Sequence, residues 1–97
     1  MRLIVVTVRP DRITVLGHAG YAEQGKDIVC AGVTALTHGL VKSMEALTGD
    51  LPEYQVSPGA FEVNIENLSE KSRILVDSFF IGVCEIADEF PEYVRIA

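Results

Sequence analysis

The 97-residue sequence contains no tryptophan, only two cysteines, two methionines and two histidines. Cys30 and Cys84 are too few for a disulfide framework or a zinc cluster, so neither a metal nor a cofactor is expected. No apolar run approaches the roughly 20 residues of a membrane span, and the first residues lack the layout of a secretory signal. A cytoplasmic protein without membrane attachment is the expectation. Positive charge is also scarce: eight Lys and Arg stand against fourteen Asp and Glu, a formal charge of −6. Phosphate neutralisation needs clustered Lys and Arg, which argues against direct nucleic-acid binding and makes a basic peptide the natural partner. Repeats, linkers and low-complexity segments are missing as well. With 48% hydrophobic and 23% charged residues, the chain can build a core, and its length fits a single domain over residues 1–97.

Residues 2–8 are rich in β-branched types and read as a strand, followed by a turn at Arg9-Pro10-Asp11-Arg12 and a returning strand at 13–16. A helix is predicted from about Ile28 to Leu47, with Gly49 as its stop signal. A second hairpin follows, with Ser57-Pro58-Gly59-Ala60 as its turn. In its second strand Phe61, Val63 and Ile65 alternate with Glu62, Asn64 and Glu66, giving one dry face and one wet, acidic face. A second helix is predicted over about 69–90, capped by Asn67 or Ser69 and ended by Pro91, and 93–96 form an optional short strand. The order β-β-α-β-β-α implies an α+β two-layer sandwich, a mainly antiparallel sheet with both helices on one face. Both helices are apolar on more than one side, and Phe79, Phe80 and Ile81 cannot all face one sheet. A homodimer is the simplest expectation. Gly32 and Gly39 read as close-packing positions. Cys84, mid-helix, reads as an inert packing residue.

One stretch, Gly17 to Cys30, has the composition of a site. His18 closes the second strand and Cys30 opens the first helix, joined by a loop from Ala19 to Lys26 that holds two glycines and one aromatic, Tyr21. Asp27 is a preferred N-cap type three residues before the cysteine, which puts Cys30 near the third helical position. There it faces unpaired backbone N–H groups and the positive end of the helix dipole, surroundings that favour the nucleophilic thiolate. An imidazole delivered from across the loop can take its proton and later return one to a leaving group. The competing readings are a cysteine buried as a core residue and a histidine at a strand end. His38 lies eight residues, about 12 Å, beyond the cysteine on the same helix and reads as structural.

Gly17-His18-Ala19, a short variable loop, and then Gly25-Lys26-Asp27-Ile28-Val29-Cys30-Ala31-Gly32-Val33 resemble the signature of the ribosomal-processing cysteine protease family. Thr34 stands where Ser is the more usual residue of that family. The resemblance spans essentially the whole chain in length and element order, with the specific motif in residues 17–34. It implies a thiol protease, a hydrolase of ribosome biogenesis. Its members remove the N-terminal extension of ribosomal protein twenty-seven of the large subunit, and their catalytic pair corresponds to His18 and Cys30. It also implies a homodimer and an apolar pocket beside Cys30 for aromatic residues before the cut. Three expectations follow for the site. The N–H groups of Ile28, Val29 and Cys30 hold the developing oxyanion. Asp27 either caps the helix or orients His18. Ala19, Gly20, Tyr21, Ala22, Glu23, Gln24, Gly25 and Lys26 form a mobile loop that covers the peptide. The alternative from another class is a non-catalytic module that binds a ribosomal protein, with Cys30 merely buried. A thiol redox protein is weaker still, for there is no Cys-x-x-Cys.

Overall fold

A computed structural model describes residues 3–23 and 26–97 of the chain. Strand β1 (Ile4–Val8) turns tightly, with the Arg9 N–H donating to the Arg12 carbonyl at 2.8 Å, and returns as β2 (Arg12–Leu16). The strand expected over 2–8 thus starts at Ile4 among the described residues; Met1 and Arg2 lie outside them. β3 (Tyr54–Ser57) and β4 (Ala60–Asn64) form the second hairpin, and β4 pairs antiparallel with β2. The short strand β5 (Val94–Ile96) runs parallel to β1, so the sheet is mixed, with order β3-β4-β2-β1-β5.

The sheet register explains the core. Val6 faces Val15, Val8 faces Ile13, Val15 faces Phe61 and Ile13 faces Val63. Side chains alternate across a strand, so these pairs place one apolar set on one face. Val6, Ile13 and Val63 are fully shielded from solvent. Removing one such side chain from water contributes roughly 1.5–3 kcal/mol. Thr7, Thr14 and Glu62 point the other way and stay partly exposed.

Both helices cover the dry face. α1 (Ile28–Leu47) adds Val29, Val33, Leu40, Val41 and Met44 to the core, and α2 (Glu70–Glu89) adds Phe79 and Val83. The helices touch where side chains are smallest. A Cβ on Gly32 would meet Ile86 at 3.3 Å, and one on Gly82 would meet Leu36 at 3.1 Å. Gly39, the other glycine expected to pack closely, has open space around its Cβ position. Ser69 caps α2, its hydroxyl accepting from the Ser72 N–H. Asp50 ties the end of α1 to the start of α2: its carboxylate accepts from the Ser69 N–H and hydroxyl and from the Ser72 hydroxyl, which also bonds Thr48. The surplus of apolar surface on α2 is visible. Phe79 is buried, whereas Ile74 and Ile81, seven residues apart on one face, are 67% and 65% exposed.

Candidate active site

The site forms where β2 ends, α1 begins and the β3–β4 turn closes over both. Gly17 leaves β2 with φ of +100°, and a Cβ there would collide with the Leu3 carbonyl oxygen. Only glycine allows so close an approach to Leu3, the residue before β1. Its N–H donates to the Gly59 carbonyl at 2.8 Å, locking the strand end to the hairpin turn. His18 is therefore carried against that turn. Gly59, with φ of +72°, follows Pro58 as a type II turn requires, and its missing side chain leaves the room that the imidazole occupies.

Cys30 is fixed from the helix side. Asp27 is the N-cap of α1, its Oδ1 accepting from the N–H of Val29 at 3.0 Å and of Cys30 at 2.9 Å. Its Oδ2 accepts from the N–H of Tyr21 at 2.9 Å. Burial pushes this carboxyl up, but the N–H donors of Cys30, Tyr21 and Ala22 together outweigh it, and the net shift is below the ordinary value. The Ala19 N–H donates to Cys30 Sγ at 3.3 Å. A single carboxylate thus holds both the helix start and the loop strand that aims an N–H at the sulfur.

His18 and Cys30 line one cavity of about 140 Å³, with Thr34, Thr37 and His38 along α1 and Val56, Ser57 and Gly59 on the hairpin. No hydrogen bond joins the His18 imidazole to Cys30 among the described residues. Catalytic contacts of this kind often tighten only when substrate binds. A larger depression of about 610 Å³ lies elsewhere, lined by Asp11, Arg12, Glu53 and Glu62, and contains neither a thiol nor an imidazole. Chemistry therefore points to the smaller cavity. Cys84 lies in the middle of α2 and does not line it.

One sequence-based expectation needs correction and one open alternative closes on the helix cap. The N–H groups of Val29 and Cys30 are not free for an oxyanion, because the Asp27 cap takes both; Ile28 is the one of the three that this cap leaves unengaged. The hydrogen bonds of Asp27 run to backbone N–H groups of its helix and loop, and none reaches His18. Two described residues of the loop are anchored. Ala19 is buried in the core, and the Tyr21 ring stands edge-on to Phe90 and Tyr93, with centroids 5.5 and 5.2 Å away. The loop strand leans toward α2 and β5 and contributes no residue from 20–23 to the cavity wall. The remaining expectation for Gln24 and Gly25 lies outside the described residues.

Several residues of the cavity carry no site expectation from sequence, His38 and Gly59 among them. His38 cannot touch Cys30 along the helix, but it lines the same cavity. A cavity can be longer than one contact, and eight residues of helix span about 12 Å. The spacing 30, 34, 37, 38 along α1 was the available signal, since those positions share a helix face. Gly59 had no signal beyond its turn, for nothing local says that His18 lies on it.

The sequence matches the family model of the cysteine protease Prp over residues 4–95. It is 29% identical over 83 residues to the ribosomal processing cysteine protease Prp of Staphylococcus aureus, covering 82% of this chain and 78% of that protein. Against the protein of the same name from Bacillus subtilis the identity is 31% over 87 residues, with the same coverage. The fold superposes with TM-score 0.86 and 25% identity on the crystal structure of the S. aureus protease in complex with a covalently linked product peptide, covering 99% of this chain and 97% of that one. On these matches the protein belongs to the ribosomal-processing cysteine protease Prp family.

Proposed function

We propose that the protein is a cysteine endopeptidase that removes the N-terminal extension of ribosomal protein twenty-seven of the large subunit, in the cytoplasm. The observation that carries this reading is the shared cavity: two residues from separate elements, His18 and Cys30, line it together. In this reading the Cys30 thiol gives its proton to His18, and the thiolate attacks the scissile carbonyl. The tetrahedral intermediate places a negative oxygen beside the sulfur, and the Ala19 N–H, which now donates to Sγ, is the nearby donor that would turn to it. Collapse breaks the C–N bond, His18 protonates the departing amine, and a thioester remains on Cys30. Water then attacks the thioester with His18 as base, releasing the acid and restoring the thiol. Asp27 acts through position, as the cap that holds both the Cys30 N–H and the Tyr21 N–H.

The net charge of −6 suits a basic ribosomal-protein segment as substrate. The loop from residue 19 to 26 is read as the cover that moves onto bound peptide, a motion that would release Tyr21 from Phe90 and Tyr93. A homodimer is part of the same reading, with the exposed stripe of Ile74 and Ile81 as the candidate surface. Light scattering at micromolar concentration tests it, and a monomer would remove it while leaving the peptidase reading intact. The peptidase reading is tested by incubating the protein with a synthetic peptide spanning the junction of extension and mature ribosomal protein. Mass spectrometry should show one cut, lost in Cys30→Ala and in His18→Ala. No cut, or a cut that survives Cys30→Ala, would overturn it.

A further inference from the structure

β3 is the edge strand beyond β4, and all four of its residues are exposed. Its ladder is read from the register. Ser57 pairs with Ala60 and Gln55 with Glu62, while the Asn64 N–H donates to the Glu53 carbonyl at 2.9 Å. In an antiparallel pair, hydrogen-bonded and non-hydrogen-bonded positions alternate. Residues 53, 55 and 57 therefore direct their backbone groups at β4. Tyr54 and Val56 direct their N–H and C=O groups outward, at the open edge. An open edge of this kind is a template for a further strand, and many proteins blunt theirs with Lys, Pro or a bulge. Here β3 itself carries none of these: its sequence is Tyr-Gln-Val-Ser.

The edge also leads to the nucleophile. Val56 and Ser57 line the same cavity as Cys30, and across that cavity runs the α1 face that carries Thr34 and His38. One turn further along α1, Lys42 faces Tyr54. Residues of the edge and of the helix thus line the one cavity that Cys30 also lines.

We infer that the open edge of β3 is the docking strand for the substrate, an extended peptide that pairs by backbone hydrogen bonds with Tyr54 and Val56 and so brings its scissile bond to Cys30. The inference rests on the peptidase reading above. It supplies what that reading lacks, a means of holding a peptide whose affinity does not depend on one side chain. Side chains of the peptide would then alternate, one set toward the cavity that His38 lines and the other toward solvent.

The test uses the geometry. Proline at position 56 removes an outward N–H and costs the ladder no hydrogen bond, which edge strands tolerate. Binding of the junction peptide is measured on Cys30→Ala, so that failure of the chemistry does not enter the result. Adding Val56→Pro should weaken binding about five- to tenfold, the worth of one net backbone hydrogen bond. Val56→Thr, which keeps the N–H, should bind within about twofold of Val56. A second measurement leaves the protein untouched: junction peptides carrying one N-methyl group at successive positions. Loss of binding should recur at every second residue, because only alternate N–H groups of an added strand face the edge. Full binding by Val56→Pro, or N-methyl sensitivity without that alternation, would overturn the inference.

Discussion

Replacing Gly59 by alanine should disable the site without unfolding the protein. A Cβ at this position would lie 2.5 Å from His18 Nε2, 3.1 Å from Cδ2 and 3.2 Å from Cε1. Ordinary contact begins near 3.4 Å, so the imidazole must retreat by about 1 Å or the turn must open. The backbone itself is held at φ of +72°, a region that costs a non-glycine residue roughly 1 kcal/mol. For a chain of this size that corresponds to a fall of about 4–8 °C in Tm, which leaves a folded protein at room temperature. The effect on chemistry should be larger, since a misplacement of about 1 Å at a reacting group costs on the order of 10²-fold. The assay is kcat and KM for cleavage of the junction peptide, alongside thermal unfolding. The loss should fall on kcat with KM nearly unchanged, because the peptide still docks while the imidazole proposed to carry the proton is displaced. A Gly59→Ala enzyme within twofold of the wild-type kcat would refute the placement of His18 on the turn.

Asp27→Ala removes an N-cap and should cost about 1 kcal/mol of stability in urea titrations. Because the same carboxylate holds the Tyr21 N–H, it should also raise amide exchange over residues 19–22; unchanged exchange there would contradict the shared role. Tyr21→Ala should speed proteolytic nicking of the 19–26 loop, for the ring's contacts with Phe90 and Tyr93 are lost. A nicking rate equal to wild type would show that these contacts do not hold it. Asp50 has its carboxyl pulled below the ordinary value, first by the Ser72 hydroxyl and then by the Ser69 hydroxyl and N–H. A depressed folded-state pKa contributes stability that is present above the unfolded value, near 3.8, and is lost as pH falls toward the folded value. The urea midpoint should therefore drop on acidification below about pH 4, and Asp50→Asn should flatten part of that slope. An unaltered slope would place the acid sensitivity elsewhere.

Local signals carried much of the fold. The start of α1 was legible because Asp27 is a capping type before an apolar helical pattern, and its end because Gly49 follows. The alternation of Phe61, Val63 and Ile65 marked β4 and its dry face. The pairing partner of β5 was not legible, since three residues carry no trace of which edge they join. At the site, the sequence placed Cys30 in the first helical turn but could not show that the cap consumes the two N–H groups beside it. That follows from where a carboxylate reaches, and Asp27 reaches both. The same limit hid the loop's anchors. Tyr21 meets Phe90 and Tyr93 only because α2 returns its far end to the start of α1, a tertiary fact with no local mark. His38 and Gly59 escaped for a related reason: each belongs to the cavity by facing it, not by neighbouring Cys30 in sequence.

The central claim is that Cys30 forms a covalent bond to the peptide during cleavage. Wild-type protein mixed with the junction peptide and quenched in acid should gain the mass of the acyl fragment. Fragmentation of the digested protein should locate that mass on Cys30, with Cys84 unmodified as the internal control. Cleavage that proceeds with no adduct on Cys30, and at an undiminished rate in Cys30→Ala, would contradict the account.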